Sequence, residues 1–244
     1  MNWMNAGQVR NSTRRERNTL AAAVVWGGGA LFVTALALCL WWYSFVLGRT
    51  QPRAGWPVVL LDLALFSLFA LHHSLFARET MKRTVAAVVP ERLRRSVYVW
   101  TASALLILVC LAWRPIGGEL YDVIGWRAAI HGAVQIAGLV LIAESTRAID
   151  PLELAGIRPA SDTAGGLQIG GPYRLVRHPL YFGWMLAAFG AAHMTGDRFA
   201  FAVISSFYLV IAVPWEERSL RHSFGEAYAR YQQNVRWRVI PFIY

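Results

Sequence analysis

Cysteine and acidic residues are scarce in this sequence, and each shortage excludes a class of protein. Only two cysteines occur in 244 residues, Cys39 and Cys110, and both lie in long apolar runs. A disulfide-stabilised fold and a cysteine-based metal site are therefore excluded, and the two side chains are interpreted as small apolar packing residues. Asp and Glu number 14 against 24 Lys and Arg, so the formal net charge is +10.

This positive charge does not indicate nucleic-acid binding, because no recognition motif accompanies it. The histidines His131, His193 and His222 lack the spacing of metal ligands, so no metal site is predicted. No internal repeat is evident, and residues 1–244 are interpreted as a single domain.

Apolar residues are what the sequence has most of. They make up 56% of the chain, which also holds 11 Trp and has a mean hydropathy of +0.39. An ordinary soluble domain is less apolar than this. The uncharged run over residues 20–48 is long enough to cross a bilayer and too long for the core of a signal peptide. We place six spans, at about 20–47, 57–76, 97–113, 128–143, 180–194 and 199–214.

The predicted fold is therefore an all-α integral membrane bundle, because lipid is spanned only by helices or closed barrels and these runs have helix length. It has about six transmembrane helices and a cytoplasmic C-terminal helix. The N-terminal tail 1–19, the segments 77–96 and 144–179, and the C-terminal tail carry 19 of the 24 Lys and Arg. The positive-inside rule then predicts a multi-pass protein with both termini in the cytoplasm, in contact with membrane lipid.

Residues 171–184 carry the densest set of chemistry-bearing side chains. The segment is Gly-Pro-Tyr-Arg-Leu-Val-Arg-His-Pro-Leu-Tyr-Phe-Gly-Trp and leads into an apolar helix. Pro179 suits a first helical turn, where free backbone N–H groups favour an anionic ligand group, and Arg174 and Arg177 add positive charge. The alternative is that the arginines only anchor the helix to lipid headgroups and His178 caps it.

Two tyrosines of this segment and one buried acid are further candidates. Tyr173 and Tyr181 offer aromatic faces to a base or a cation, or else belong to an interfacial aromatic belt. Asp62 is the only carboxylate inside a predicted span. Acids within a membrane are often functional, but Asp62 lies near the outer end of its span, and both interpretations stay open.

A pair of acids, Glu216 and Glu217, directly follows the last span. Two carboxylates at a membrane boundary require a partner or a wet cavity. One of them is a candidate for binding an ammonium group or ribose hydroxyls. The alternative is a solvated helix face on which they pair with Arg218 or Arg221.

Taken together, these motifs resemble the isoprenylcysteine carboxyl methyltransferase superfamily of integral membrane enzymes. The resemblance is carried by Gly-x-Tyr-x4-His-Pro-x-Tyr-x-Gly, by the acid pair and by Phe-Gly-Glu-Ala-Tyr at 224–228. It implies that residues 144–244 bind S-adenosylmethionine, with Glu217 as a structural partner, and it identifies no catalytic residue. The cofactor-binding residues it implies are Gly165, Gly166, Leu167, Gln168, Tyr173, His178, Pro179, Leu180, Tyr181 and Glu216.

The N-terminal half resembles bacterial methanethiol S-methyltransferases, which implies a bacterial inner membrane. That resemblance rests on Phe-Ala-Leu-His-His-Ser-Leu-Phe-Ala-Arg at 69–78, Arg-Ser-Val-Tyr-Val at 95–99 and Trp-Arg-Pro-Ile at 113–116. It makes His72 and His73 candidates for substrate binding, as a base or a polar contact, together with the arginines 174 and 177. The alternative is that both are satisfied histidines at a helix end.

The chain departs from the family at two positions. A glutamine upstream of the glycine-rich loop is replaced by the Arg158-Pro159 region, and an arginine that meets the prenylcysteine carboxylate appears as Ala212 or a neighbour. The second departure argues against prenylcysteine and leaves cofactor binding untouched.

The predicted function is therefore methyl transfer from S-adenosylmethionine to a small thiol, isoprenylcysteine-like or lipid-like acceptor. Two alternatives stay open. One is an NADPH-dependent enzyme like the membrane sterol reductases, which share a similar Arg-His-Pro-x-Tyr-x-Gly motif, and the other is a non-enzymatic membrane carrier.

Overall fold

The computed structural model describes residues 3–76, 87, 89–147, 151–158 and 166–244, and within them the chain is almost entirely helical. Two short strands, β1 (Glu119–Asp122) and β2 (His193–Thr195), pair antiparallel. A π-helical turn at Trp42–Val46 and a 3-10 turn at Gly171–Arg174 complete the elements. The helices are α1 (Trp3–Trp41), α2 (Trp56–Phe76), α3 (Glu91–Ala112), α4 (Trp126–Thr146), α5 (Pro151–Leu154), α6 (Pro179–Phe189) and α7 (Gly196–Asn234).

Five helices are long and apolar enough to cross a membrane, which confirms the all-α membrane bundle. These are Thr19–Val46, Trp56–Leu75, Leu93–Ala112, Trp126–Thr146 and Gly196–Asn234. Large apolar side chains on them point outward, among them Leu111, Ile136 and Phe207. Such faces suit contact with lipid, because the helices leave apolar side chains exposed while their backbone polar groups are hydrogen-bonded within each helix.

The structure differs from the prediction in the span placed at 180–194. Helix α6 has only 11 residues and ends at Phe189. At about 1.5 Å per residue it covers roughly half of a hydrocarbon core about 30 Å thick. Gly190 lies so close to α4 that a Cβ atom there would be 3.1 Å from the Gln135 backbone nitrogen. The chain then continues as β2, because pairing with β1 satisfies its backbone groups.

The last predicted span and the predicted C-terminal helix form one element, α7. Its start is capped by Thr195, whose Oγ1 accepts from the Arg198 N–H at 3.2 Å. The helix carries Pro214 inside it and breaks only at Gly225, with φ 50° and ψ −126°. Glycine suits this position because its φ is positive, a backbone conformation that residues with a Cβ atom rarely adopt.

Helices α4 and α6 pack through a pair of glycines. A Cβ on Gly138 would lie 2.6 Å from the Gly183 carbonyl oxygen, and a Cβ on Gly183 would lie 2.7 Å from the Gly138 oxygen. Small residues of this kind let membrane helices approach at backbone distance. Gly183, the last glycine of the 171–184 segment, is thus a packing residue of α6, the helix that begins directly after His178.

Gly183→Ala is therefore expected to lower the free energy of unfolding by about 1–3 kcal/mol, because the added methyl overpacks the contact. Thermal unfolding in detergent measures the loss. Gly132→Ala on α4 is the matched control, since a Cβ there meets nothing within 4 Å, and helix propensity alone favours that change. Equal unfolding temperatures for the two variants would contradict the close approach.

Buried aspartates stabilise the end of the bundle that holds the two strands. Asp197 Oδ1 accepts from Trp113 Nε1 at 3.0 Å and from the Ile116 N–H at 2.9 Å. Asp62, whose role the sequence left open, is fully buried and accepts from the Arg114 N–H at 2.9 Å. These contacts tie the connection after α3 to α2 and α7, at the end opposite to the cavity described next.

Candidate functional site

A cavity of about 330 Å³ lies where α4 ends and α6 begins, and the middle of α7 forms its far wall. This volume is at the lower end of the range for small-molecule sites. The lining residues are Ser145, Gly166, Leu167, Gln168, Tyr173, Arg177, His178, Pro179, Leu180, Tyr181, Glu216, Leu220, Phe224, Tyr228 and Tyr231.

The structure brings the predicted cofactor-binding residues together in this cavity. All of them line it except Gly165, which lies outside the described residues. The convergence arises because the start of α6 and the middle of α7 reach the same end of the bundle. Which ligand these residues bind stays a prediction.

The predicted substrate-binding residues are dispersed. Arg177 lines the cavity, whereas Arg174 is exposed beside it and does not. His72 and His73 lie on α2, outside the cavity lining. His73 Nδ1 is 2.8 Å from the Tyr98 hydroxyl, and the His72 ring stacks on the Tyr98 ring with centroids 5.8 Å apart.

Glu216 is held in the cavity wall by Tyr181 on α6 and by His178, the residue directly before that helix. The Tyr181 hydroxyl donates to Glu216 Oε2 at 2.6 Å, although the two residues are 35 positions apart. His178 Nδ1 lies 3.5 Å from the same oxygen, and its ring stacks on that of Tyr181 at 5.3 Å. Since the Glu216 side chain stays 45% exposed, its carboxylate is oriented and still accessible to a ligand.

Glu217 points the other way, into a buried ionic network. Its Oε1 lies 2.6 Å from Arg177 Nε, and its Oε2 accepts from Gln232 Nε2 at 3.1 Å. Arg238 Nε lies 3.6 Å from Oε2. The sequence offered Arg218 or Arg221 as partners, but Arg221 donates to Gln232 instead. Glu217 therefore joins α7 to the segment before α6 and to the C-terminal segment.

Arg177 fastens the C-terminal segment to the site. Its Nη1 donates to the carbonyl oxygens of Val235 at 2.7 Å and Arg236 at 3.0 Å. The Arg177 N–H also donates to the Trp237 carbonyl at 2.9 Å. With its ion pair to Glu217, the arginine is therefore engaged within the protein although it borders the cavity.

The two carboxylates also set the charge of His178. Burial on its own lowers the pKa of this ring, but the adjacent Glu216 and Glu217 outweigh burial and hold the pKa above its ordinary value. Burial and the charge of Glu216 raise the pKa of the Tyr173 hydroxyl. The cavity therefore presents an imidazole whose protonated form the two carboxylates favour, and a neutral phenol, beside one accessible carboxylate.

An aromatic stripe of α7 forms the wall that was not predicted as part of the site. The sequence predicted only a cytoplasmic C-terminal helix here. All four members line the cavity, and the signal was their helical spacing: Leu220, Phe224, Tyr228 and Tyr231. The Tyr228 hydroxyl is buried and has no hydrogen-bond partner within the described part of the chain. A buried polar atom in this state favours a ligand that bonds to it.

Within the described ranges, no group of three or more His, Cys, Asp or Glu side chains is placed to hold a metal ion.

Comparison with known proteins gives consistent matches. The phospholipid methyltransferase family matches residues 128–227. Methanethiol S-methyltransferase from Pseudomonas deceptionensis is 35% identical over 198 residues, which is 75% of this chain and 74% of the relative. Methanethiol S-methyltransferase from Crocosphaera subtropica is 33% identical over 230 residues, 87% of this chain and 89% of the relative. Nurim from Bos taurus is 26% identical over 203 residues, covering 72% and 76%. No solved structure matches the chain.

Proposed function

Because the chain belongs to the family of membrane methyltransferases that includes the methanethiol S-methyltransferases, we propose that it methylates a small thiol with S-adenosylmethionine as donor. The family establishes a membrane methyltransferase for a small thiol or lipid-like acceptor. The observation that carries the choice of donor is the accessible Glu216 carboxylate, fixed by Tyr181 and His178 inside a mostly apolar cavity.

The residues of the cavity fit the functional groups of this donor. Its ammonium and ribose hydroxyls match Glu216. Its carboxylate matches the N–H groups at the start of α6 and the His178 ring, whose protonated form Glu216 and Glu217 favour. The aromatic side chains match its adenine and its sulfonium, which aromatic faces attract. The unpartnered Tyr228 hydroxyl offers one more hydrogen bond.

The charges of the lining argue against the NADPH alternative. Phosphate groups are bound mainly by arginine and lysine. Arg177 is the single Arg or Lys side chain among the cavity-lining residues, and its guanidinium is paired with Glu217. The family membership argues in turn against a non-enzymatic carrier.

The chain's own contribution to the reaction is binding and orientation. S-adenosylmethionine supplies a methyl group already activated by its sulfonium. Glu216 is pre-positioned by Tyr181 and His178, so the binding geometry is set before the donor arrives, and aligned reactants gain much of the rate enhancement. The apolar residues Leu167, Leu220 and Phe224 keep water from the reacting centre.

Turnover of radiolabelled S-adenosylmethionine by the detergent-purified protein tests this proposal. Label is expected in the thioether product of ethanethiol, with little in a farnesylcysteine analogue, because Ala212 or a neighbour stands where the family has an arginine for the prenylcysteine carboxylate. S-adenosylhomocysteine is expected to raise the unfolding temperature and NADPH to leave it unchanged. The proposal fails if neither thiols nor lipids are labelled and S-adenosylhomocysteine gives no protection.

The proposed orientation has both termini and the donor cavity on the cytoplasmic side of a bacterial inner membrane. The uneven distribution of basic residues supports it. Reporter fusions after Val46, after Val89 and at the C-terminus are expected to read outside, inside and inside. An outside signal at the C-terminus would overturn this orientation.

A further inference from the structure

A cluster of polar side chains lies where α2, α3 and α7 meet. His73 Nδ1 and the Tyr98 hydroxyl are 2.8 Å apart. The Tyr208 hydroxyl donates to the Ala70 carbonyl at 2.6 Å and also contacts the Ser74 hydroxyl. Polar groups inside a membrane bundle are costly, so a cluster contributed by three helices indicates a function.

This cluster lies close to the donor cavity along α7, because Glu216 follows Tyr208 by eight positions, or about two helical turns. The Glu216 carboxylate is near enough for its charge to act on the His73 ring. His73 is exposed although its ring also stacks on Phe69, with centroids 5.8 Å apart. The next residue, Ser74, contacts Tyr208, so His73 lies where α2 packs against α7.

We propose that His73 is the catalytic base that removes the proton of the acceptor thiol, and that Tyr98 is the positioning residue for its ring. This inference rests on the proposed function, in which the acceptor is a thiol. With Nδ1–H donating to the Tyr98 oxygen, His73 Nε2 carries the free lone pair. The thiol proton moves to Nε2 as the sulfur attacks the donor methyl carbon. The new S–C bond forms, and the bond from that carbon to the donor sulfur breaks and leaves its electron pair there.

Charge explains why a base is needed at this point. The thiolate is the nucleophilic form, yet even the free cysteine thiol, with a pKa of about 8.5, is mostly protonated at neutral pH. The neighbouring Glu216 carboxylate further disfavours a second negative charge. Transfer of the proton to His73 keeps a compensating positive charge beside the developing thiolate, with His72 and Glu216 as the other titratable groups that act on that ring.

A pair of thiols of nearly equal size tests the role of His73. Ethanethiol is protonated at mildly alkaline pH, whereas trifluoroethanethiol is largely ionised. His73→Gln is expected to lower kcat/KM for ethanethiol by about 10²- to 10⁴-fold, the usual contribution of a general base. For trifluoroethanethiol the loss is expected to be several-fold at most. Tyr98→Phe should give a smaller loss with the same rescue.

Donor binding and a remote histidine provide the controls. Calorimetric titration of S-adenosylhomocysteine into His73→Gln is expected to give wild-type affinity, which verifies the fold, and the exposed His222→Gln should retain full activity. Equal losses for both thiols, or no loss for either, would overturn the base assignment. A wild-type protein that methylates neither thiol would instead overturn the proposed function.

Discussion

Arg177→Met is expected to lower the free energy of unfolding by about 3–5 kcal/mol, because it leaves the Glu217 carboxylate buried without its nearest cation. The side chains of both residues are less than a tenth exposed, and their contact is 2.6 Å. The same change removes the donors to Val235 and Arg236. Chemical denaturation in detergent, followed by the tryptophan signal, measures the loss.

Two further variants distinguish the cost of an unpaired buried charge from an unspecific loss of stability. Arg174→Met removes an exposed arginine three positions earlier and is expected to change stability by no more than about 0.5 kcal/mol. The double variant Arg177→Met, Glu217→Leu is expected to recover much of the loss, since an apolar pair leaves no orphaned charge. Strictly additive losses in the double variant would show that the two side chains are not energetically coupled.

Glu216→Gln is expected to weaken binding of S-adenosylhomocysteine by about 10- to 100-fold, which corresponds to roughly 1.5–3 kcal/mol for a charge-assisted hydrogen bond. The amide keeps the shape of the side chain and removes its charge. His178→Ala should also weaken binding, because the ring orients Glu216 and offers positive charge to the carboxylate of the ligand. Calorimetric titration into the purified variants measures both effects.

Glu226→Gln is the matched control for the cavity, since Glu226 is exposed on α7 and absent from the cavity lining. Glu217→Gln is expected to act on stability more than on affinity, because its contacts are internal to the protein. Unchanged affinity in both Glu216→Gln and His178→Ala would mean that the donor binds elsewhere.

Local pattern was sufficient to predict the helices and the main elements of the cavity. The apolar runs are long enough to identify five of the spans. Because α6 and α7 are joined by a short connection, the start of α6 and the middle of α7 bring Tyr181 and Glu216 to the same end of the bundle. The length of a helix is harder to predict when the contacts that end it come from residues distant in the sequence. The apolar composition continues through Ala191 and Ala192, whereas α6 stops because Gly190 meets Gln135 and β2 pairs with β1, 71 or more residues earlier in the chain.

The partner of Glu217 escaped prediction for a similar reason. Arg218 and Arg221 are near in sequence, but both are exposed, and Arg221, one turn after Glu217, donates to Gln232 instead of to the buried carboxylate. Arg177 is 40 positions distant and reaches it only because α6 and α7 pack together. The role of Gly183 was likewise invisible, since its contact with Gly138 depends on the approach of two helices.

The break at Gly225 gives a ligand of this cavity a thermodynamic role beyond recognition. It divides the cavity wall into two rigid parts, with Phe224 on one side and Tyr228 and Tyr231 on the other. A ligand that contacts both parts binds while the second part is attached, so its binding shifts the equilibrium between the attached and detached states towards the attached one. At a ligand concentration of 100 Kd this linkage contributes about 2.7 kcal/mol to the attached state. A ligand of this cavity is therefore expected to lower the frequency with which this segment detaches, and to raise its protection from amide exchange and its resistance to proteases.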